Sequence, residues 1–420
     1  MSVSSASSVA APSTGRSIFA ALCASLVGIG LARFAYTPLI PPLIEAQWFA
    51  ANDVMYLGAA NLVGYLAGAL GGRPVAGRLG ARPALQWMMA LAALAFFACA
   101  LPVSVAWFFV WRFLSGLSGG IIMVLAATTV LPHIPLEKRG MASGAIFLGL
   151  GVGIAASGTL VPLLLHVGLW QTWAGLGLVS ALLTAASWTG WPSSPPAAGG
   201  QGPGPEATRE HGAPVPAVAS AHSAGAARRG MRVLYIQYAL MATGLVPMMI
   251  FLVDYVARGL GLGAQTGALF WIAYGFGAIA GPMLYGAMGD RLTPRITNRI
   301  AIAIQIAAIA LLTGSRNVPA LVLATFVIGT FPPGIVPIYL GQIQRLIPGS
   351  AEKQSAAWSK ATTIYALTQA IVGYASSWLL AASGGQHRML FMLAAAGLAL
   401  ALATELVATW TNTTVLKGQS

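Results

Sequence analysis

Four charged residues stand inside apolar stretches of the chain, where charge is costly. Arg33 lies in Gly30-Leu31-Ala32-Arg33-Phe34-Ala35-Tyr36-Thr37-Pro38, and Arg112 lies between Trp111 and Phe113. Asp254 follows Phe251-Leu252-Val253, and Glu405 follows Ala403-Thr404. An arginine or aspartate at the centre of a membrane helix costs about 2.5–3.5 kcal/mol on insertion scales, so such groups face water or a partner. A guanidinium there can recognise an anionic group or tune a nearby proton site. It can equally donate to helix carbonyls and serve packing alone. A carboxylate can carry a proton, or pair locally: Asp254 has Arg258 one helical turn ahead of it. Glu405 near a helix end can reach the interface or a basic loop instead.

These residues belong to a chain of 420 residues, 57% hydrophobic and 7% charged. Soluble domains carry about 25% charged residues, so this is a membrane composition. The 50 glycines and 25 prolines suit membrane helices, where glycine permits close packing and proline kinks are tolerated. A net charge of +13 does not point to nucleic acid, because the basic residues lie in short runs between apolar segments. The two cysteines, Cys23 and Cys99, fall inside predicted spans and are expected as free thiols. The first apolar run is read as an uncleaved span rather than a signal peptide, since it is long and contains Arg33.

A spanning helix needs about 20 apolar residues, and twelve such runs are present. A stretch of Pro, Ala, Gly and Ser parts the sixth from the seventh. The expected layout is a tail at 1–16, six spans in 17–191, a linker at 192–231, six spans in 232–410 and a tail at 411–420. With both ends placed inside, Arg258, Arg316 and Arg388 fall outside and Arg33 and Arg112 fall within spans. The rest of the 22 lysines and arginines fall inside, and that asymmetry predicts N-in, C-in. The halves also repeat. Gly64 recurs as Gly277, Gly68 as Gly281, Arg78 as Arg291, Phe113 as Phe326 and Gly116 as Gly329, each 213 positions on. Parallel six-span halves related by an axis along the membrane normal are one arrangement of secondary transporters.

The motifs carry a resemblance to the major facilitator superfamily. Arg73-Pro-Val-Ala-Gly77-Arg78-Leu79-Gly80-Ala81-Arg82 resembles its loop pattern G-x-L-A-D-R-x-G-R-K, with Gly77 where Asp is usual and Arg73 where the first Gly is. The matching loop keeps Asp290-Arg291, with Thr293 for the next Gly, and Arg112-x-x-x-Gly116 is similar to the pattern of span 4. More narrowly, the Arg33 segment, Asp254-Tyr255-Val-Ala-Arg258-Gly259 and Ala357-Trp358-x-x-Ala361-Thr362-Thr363 through Gln369 resemble the bacterial YbfB/YjiJ branch. The resemblance implies an all-α membrane protein of two six-helix bundles, the major facilitator fold, placed multi-pass in the bacterial inner membrane. It also implies that the outer ends of spans 1 and 7 approach each other when the cavity is closed to the outside. A proton-sensitive latch between Asp254 and Arg33 is then an alternative to local pairing with Arg258. The superfamily's antiporter pattern has Gly-Pro in span 5, whereas Ser157-Gly158 is here followed only later by Pro162.

Arg33 and Arg112 are expected at similar depth, in a cavity that is positive in its outer half. Tyr36, Asn61, Tyr65, Tyr365 and Gln369 are candidate substrate-binding residues beside them. Asp254, Arg33, Arg78, Asp290 and Arg291 are the candidate coupling and gating residues, the last three as brackets on the inner face. His133, His166 and His387 are placed at helix ends or loops and expected in solvent. No nucleotide-binding loop, metal-ligand grouping or catalytic cluster is evident, so neither an enzyme nor a cofactor is expected. The function expected is proton-coupled movement of a small organic solute, with an anion suggested by the arginines, by a monomer and with efflux favoured. The alternative is a non-transporting sensor or scaffold of the same fold. The topology is open to direct test: a fluorescent protein fused after Lys417 should fluoresce and alkaline phosphatase there should be inactive, and the reverse result would invert the orientation.

Overall fold

The computed structural model describes residues 13–135, 139–192, 217–348 and 350–417. Among them are twelve helices long and apolar enough to cross a membrane. In chain order these are α1 (Thr14–Glu45), α2 (Ala51–Leu79), α3 (Ala81–Cys99), α4 (Val105–Val130), α5 (Arg139–Leu165) and α6 (Leu169–Ser187). The second set is α7 (Ala217–Asp254), α8 (Gly263–Arg291), α9 (Pro294–Gly314), α10 (Val318–Leu346), α11 (Ala351–Ala382) and α12 (His387–Lys417). The described part of the expected linker is shorter than the composition suggests. The helix that crosses the membrane as α7 already begins at Ala217, because alanine-rich sequence is helix-favouring however little core it offers. Likewise α12 continues into the expected C-terminal tail, to Lys417.

Helix ends follow their local sequence. Ser104, Thr293, Asn317 and Ser350 each cap a helix by accepting a hydrogen bond from the backbone N–H three residues on. α1 is the irregular helix. Leu26–Leu31 forms a π-helical turn, and Pro41 and Pro42 lie near its end. A π-turn inserts a residue and re-aims the side chains after it, and such turns are frequent at functional sites. Here the residue re-aimed two positions on is Arg33. α7 ends in a second π-turn, Tyr255–Gly259. Large apolar side chains such as Trp87, Leu182, Leu323 and Trp378 are exposed on outward faces, as in a protein solvated by lipid.

The internal repeat is visible in the packing. A methyl group on Gly64 would lie 1.9 Å from the Phe113 carbonyl oxygen, and one on Gly277 would lie 2.0 Å from that of Phe326. Gly116 faces the Asn61 carbonyl and Gly329 the Tyr274 carbonyl, at 1.9 and 2.1 Å. The pairs α2–α4 and α8–α10 therefore meet backbone to backbone through equivalent residues. Lipid tails are as apolar as leucine, so close van der Waals packing of this kind is what holds membrane helices together.

The two halves join mainly on the face opposite the chain ends. The Thr37 hydroxyl donates to the Met249 carbonyl at 2.6 Å, and the Ser377 hydroxyl to the Met55 carbonyl at 3.2 Å. Deeper in, Trp271 Nε1 donates to Ser157 Oγ at 3.0 Å. α5 and α8 also run together through small residues: Gly275 lies against Ala155, Gly151 against Ala278 and Ile279, and Gly158 against Ile272. Gly71, Gly144 and Gly286, toward the chain-end face, look onto open space. Gly64→Val and Gly277→Val should each lower the unfolding midpoint in detergent, overpacking costing about 1–3 kcal/mol or more. Gly71→Val should leave it unchanged. Equal stability of all three would mean that the repeated contact is not structural.

Candidate functional site

The carbonyl oxygen of Ala32 is the anchor point of the site. Arg112 Nη1 donates to it at 2.9 Å, Ser115 Oγ at 3.1 Å and Asn61 Nδ2 at 3.5 Å. Asn61 also reaches the Arg112 carbonyl at 3.3 Å. Two neighbouring helices are thereby tied to α1 one residue before Arg33. The Arg112 guanidinium lies 4.2 Å from the centroid of the Tyr36 ring, and the Tyr36 hydroxyl donates to the Val54 carbonyl at 2.7 Å. Arg112 is 3% exposed. It is in part a structural brace, and Tyr36 is committed to α2 through its hydroxyl.

Arg33 is held differently. Its guanidinium lies 5.1 Å from the Tyr65 ring centroid and 5.5 Å from that of Phe34, and the phenols of Tyr65, Tyr365 and Tyr274 surround it. It is only partly buried, while its Nε and Nη2 atoms have no hydrogen-bond partner among the described residues. Arg33 and Arg112 share a cavity of about 20 Å³, lined also by Asn61, Thr37 and Met249, which is room for about one water. No carboxylate lines it. Arg112 Nε and Asn61 Oδ1 are also without a partner. Two guanidiniums thus face one small cavity with hydrogen-bonding capacity left over.

Outside the cavity lining, an aromatic cluster lies on the chain-end side of Arg33. Tyr238 stacks on Tyr365 with ring centroids 4.5 Å apart and meets Tyr339 tilted at 4.5 Å and Trp358 tilted at 5.9 Å. Tyr274 stacks on Trp271 at 4.6 Å. Gln369, 1% exposed, lies beside Tyr365 with its Oε1 unpartnered. Of the sequence-based candidates, Arg33, Tyr36, Asn61 and Arg112 line the cavity, Tyr65 packs against Arg33, and Tyr365 and Gln369 lie together outside the lining. Tyr238, at the centre of the stack, was not anticipated: a tyrosine among apolar residues signals a cavity no more than it signals an interfacial belt.

The Asp254–Arg33 latch is not present. Asp254 is fully buried and takes both oxygens to other partners: a bidentate pair with Arg258 and His387 Nε2 at 2.6 Å from Oδ2. The local alternative wins because Arg258 is one turn away on the same helix face. His387 was expected in a solvated loop. It is instead the first residue of α12 and 6% exposed, where the N-terminal helix dipole also favours the carboxylate beside it. Arg78 and Arg291 are exposed, and no ion pair of theirs occurs among the described residues. The side chain of Asp290 lies outside the described residues, so the inner bracket is not seen.

The family described as "Uncharacterised MFS-type transporter YbfB" matches residues 25–406. The chain belongs to this family. Among solved structures, the crystal structure of a D-xylose-proton symporter is similar, with a TM-score of 0.67 at 16% identity, covering 94% of this chain and 97% of the other. At that identity the likeness is one of fold. No match was found among curated proteins.

The Asp254 cluster ties α7 to α12 within one half of the transporter. His387→Ala should cost about 1.5–3 kcal/mol, the range for a hydrogen bond to a charged group. Asp254→Ala should cost more, since both basic partners lose their anion. Thermal unfolding in detergent reads both, and a His387→Ala protein as stable as the parent would show the contact to be incidental.

Proposed function

We propose that the transporter carries a small organic anion, coupled to protons, by alternating access between its two six-helix bundles. The observation that carries the reading is the shared cavity of Arg33 and Arg112, where two guanidiniums meet without a carboxylate. Paired charges or bound ions are the usual resolution of buried charge, and an anionic head group would provide one. The cavity of about 20 Å³ holds about one water, so it would have to widen to admit a head group. The rest of the solute would lie against Tyr65, Tyr365 and Tyr274, which favours a flat apolar body. Closure by Thr37–Met249 and Ser377–Met55 blocks one face. With the expected N-in orientation that is the outer face, and access is from the cytoplasm, consistent with efflux across the bacterial inner membrane by a single chain.

A thermal-shift screen of aromatic carboxylates, sulfonates and amines on purified protein tests the anion, because a ligand stabilises in proportion to occupancy. Anions should raise the unfolding midpoint of the parent and fail to do so in Arg33→Gln. Arg33→Lys should recover little, because lysine lacks the planar fork that matches a carboxylate. Stabilisation by amines and not by anions would overturn the reading. Dye-loaded vesicles that show no proton movement with any stabilising anion would remove the coupling.

A further inference from the structure

The described acids that are buried at membrane depth are Asp254 and Glu405. Asp254 is clamped by Arg258 and His387. Glu405 sits in a different setting, on α12 toward the chain-end face, and is 4% exposed. Its Oε2 accepts from Gln237 Nε2 of α7, and its Oε1 lies 3.5 Å from Arg299 Nη2 of α9. Tyr339 of α10 also lies near enough to feel its charge. We propose that Glu405 is the proton-binding carboxylate of the transporter, connected to the Arg33 cavity through the stacked rings of Tyr339, Tyr238 and Tyr365. The inference rests on the proton-coupled reading above.

Three features support it. First, the basic partner of the carboxylate reaches the protein surface. The Arg299 side chain is 30% exposed. Buried Asn298 lies within hydrogen-bonding reach of the Tyr339 hydroxyl, and Gln305 and Thr297 on α9 have side-chain atoms without a partner among the described residues. Buried polar atoms in such numbers are ordinarily satisfied by internal water. Second, Gln237 can serve both protonation states. Its amide N–H₂ is engaged with the carboxylate, while its Oε1 has no partner. A protonated Glu405 needs an acceptor for its O–H, and rotation of the Gln237 amide supplies one. Third, the residue after Gln237 is Tyr238, which lies 4.5 Å from both Tyr339 and Tyr365. Tyr365 in turn borders Arg33. Loss of the carboxylate charge loosens Arg299 and turns Gln237, and that adjustment reaches Tyr365, whose phenol acts on the Arg33 charge, through rings already in contact. Asp254 has no such connection and serves as a structural clamp.

The test uses full-length protein in detergent, without substrate. Dicyclohexylcarbodiimide reacts with buried protonated carboxyl groups, and mass spectrometry maps the adduct. Labelling should fall on Glu405 and rise several-fold as pH is lowered from the alkaline side. The near-ultraviolet circular dichroism of the tyrosines should titrate over the same range, and that change should vanish in Glu405→Gln and return in Glu405→Asp. If Glu405→Gln does not fold, the mapped labelling of the parent decides. Adducts on Asp254 in place of Glu405, no pH-dependent adduct on a monodisperse parent, or an unaltered titration in Glu405→Gln would each overturn the proposal. Neither readout involves a transported solute, so a failed anion screen and a failed Glu405 assignment are separate results.

Discussion

A guanidinium at membrane depth must find acceptors, and the Ala32 carbonyl is where this chain provides one. Arg112, Ser115 and Asn61 converge on that single oxygen. The bond fixes the depth of Arg112, the spacing of α1 from α2 and α4, and the direction in which the next residue, Arg33, leaves the helix. α1 can accept this arrangement because a π-turn interrupts it just before. Everything else at the site follows from where those two arginines are held: the packing of Tyr36 under one guanidinium, of Tyr65 under the other, and a shared cavity with room for about one water.

The second half uses its charges differently. Val246 stands at the repeat position of Arg33 and Thr325 at that of Arg112, so the cationic cavity has no counterpart there. Its two buried acids among the described residues are placed at opposite ends, Asp254 with two bases on one side and Glu405 with an amide and Arg299 on the other. Between them lies the aromatic stack. The two halves share a backbone framework while their polar chemistry has diverged, which is what a transporter needs if one half grips a solute and the other senses a proton.

Much of this was legible in the sequence, for physical reasons. Twelve apolar runs fix twelve helices because lipid leaves the backbone no other way to satisfy itself. The repeat at Gly64 and Gly277 was readable because glycine is retained where a carbonyl of the neighbouring helix comes within reach. Arg33 and Arg112 announced themselves as costly charges. What the sequence withheld was partnership across space. Asp254 had two basic candidates, and only the structure shows His387, 133 positions on, closing over it. Tyr238 and Gln237 look like ordinary span residues until α10, α11 and α12 are laid beside them. The linker was misjudged in part because a low-hydrophobicity alanine segment can be either tether or helix.

The seam between α5 and α8 has a mechanical consequence. There the halves touch through Gly151, Gly158, Gly275 and Ala155, small residues that present little side chain to one another. Most helix interfaces resist sliding because ridges sit in grooves and must climb out. A smooth strip behaves instead as a bearing: it keeps two bodies at constant separation while letting one turn on the other. The force that reorients the bundles then has the hydrogen bonds between the halves to release, among them Thr37 to Met249, Ser377 to Met55 and Trp271 to Ser157.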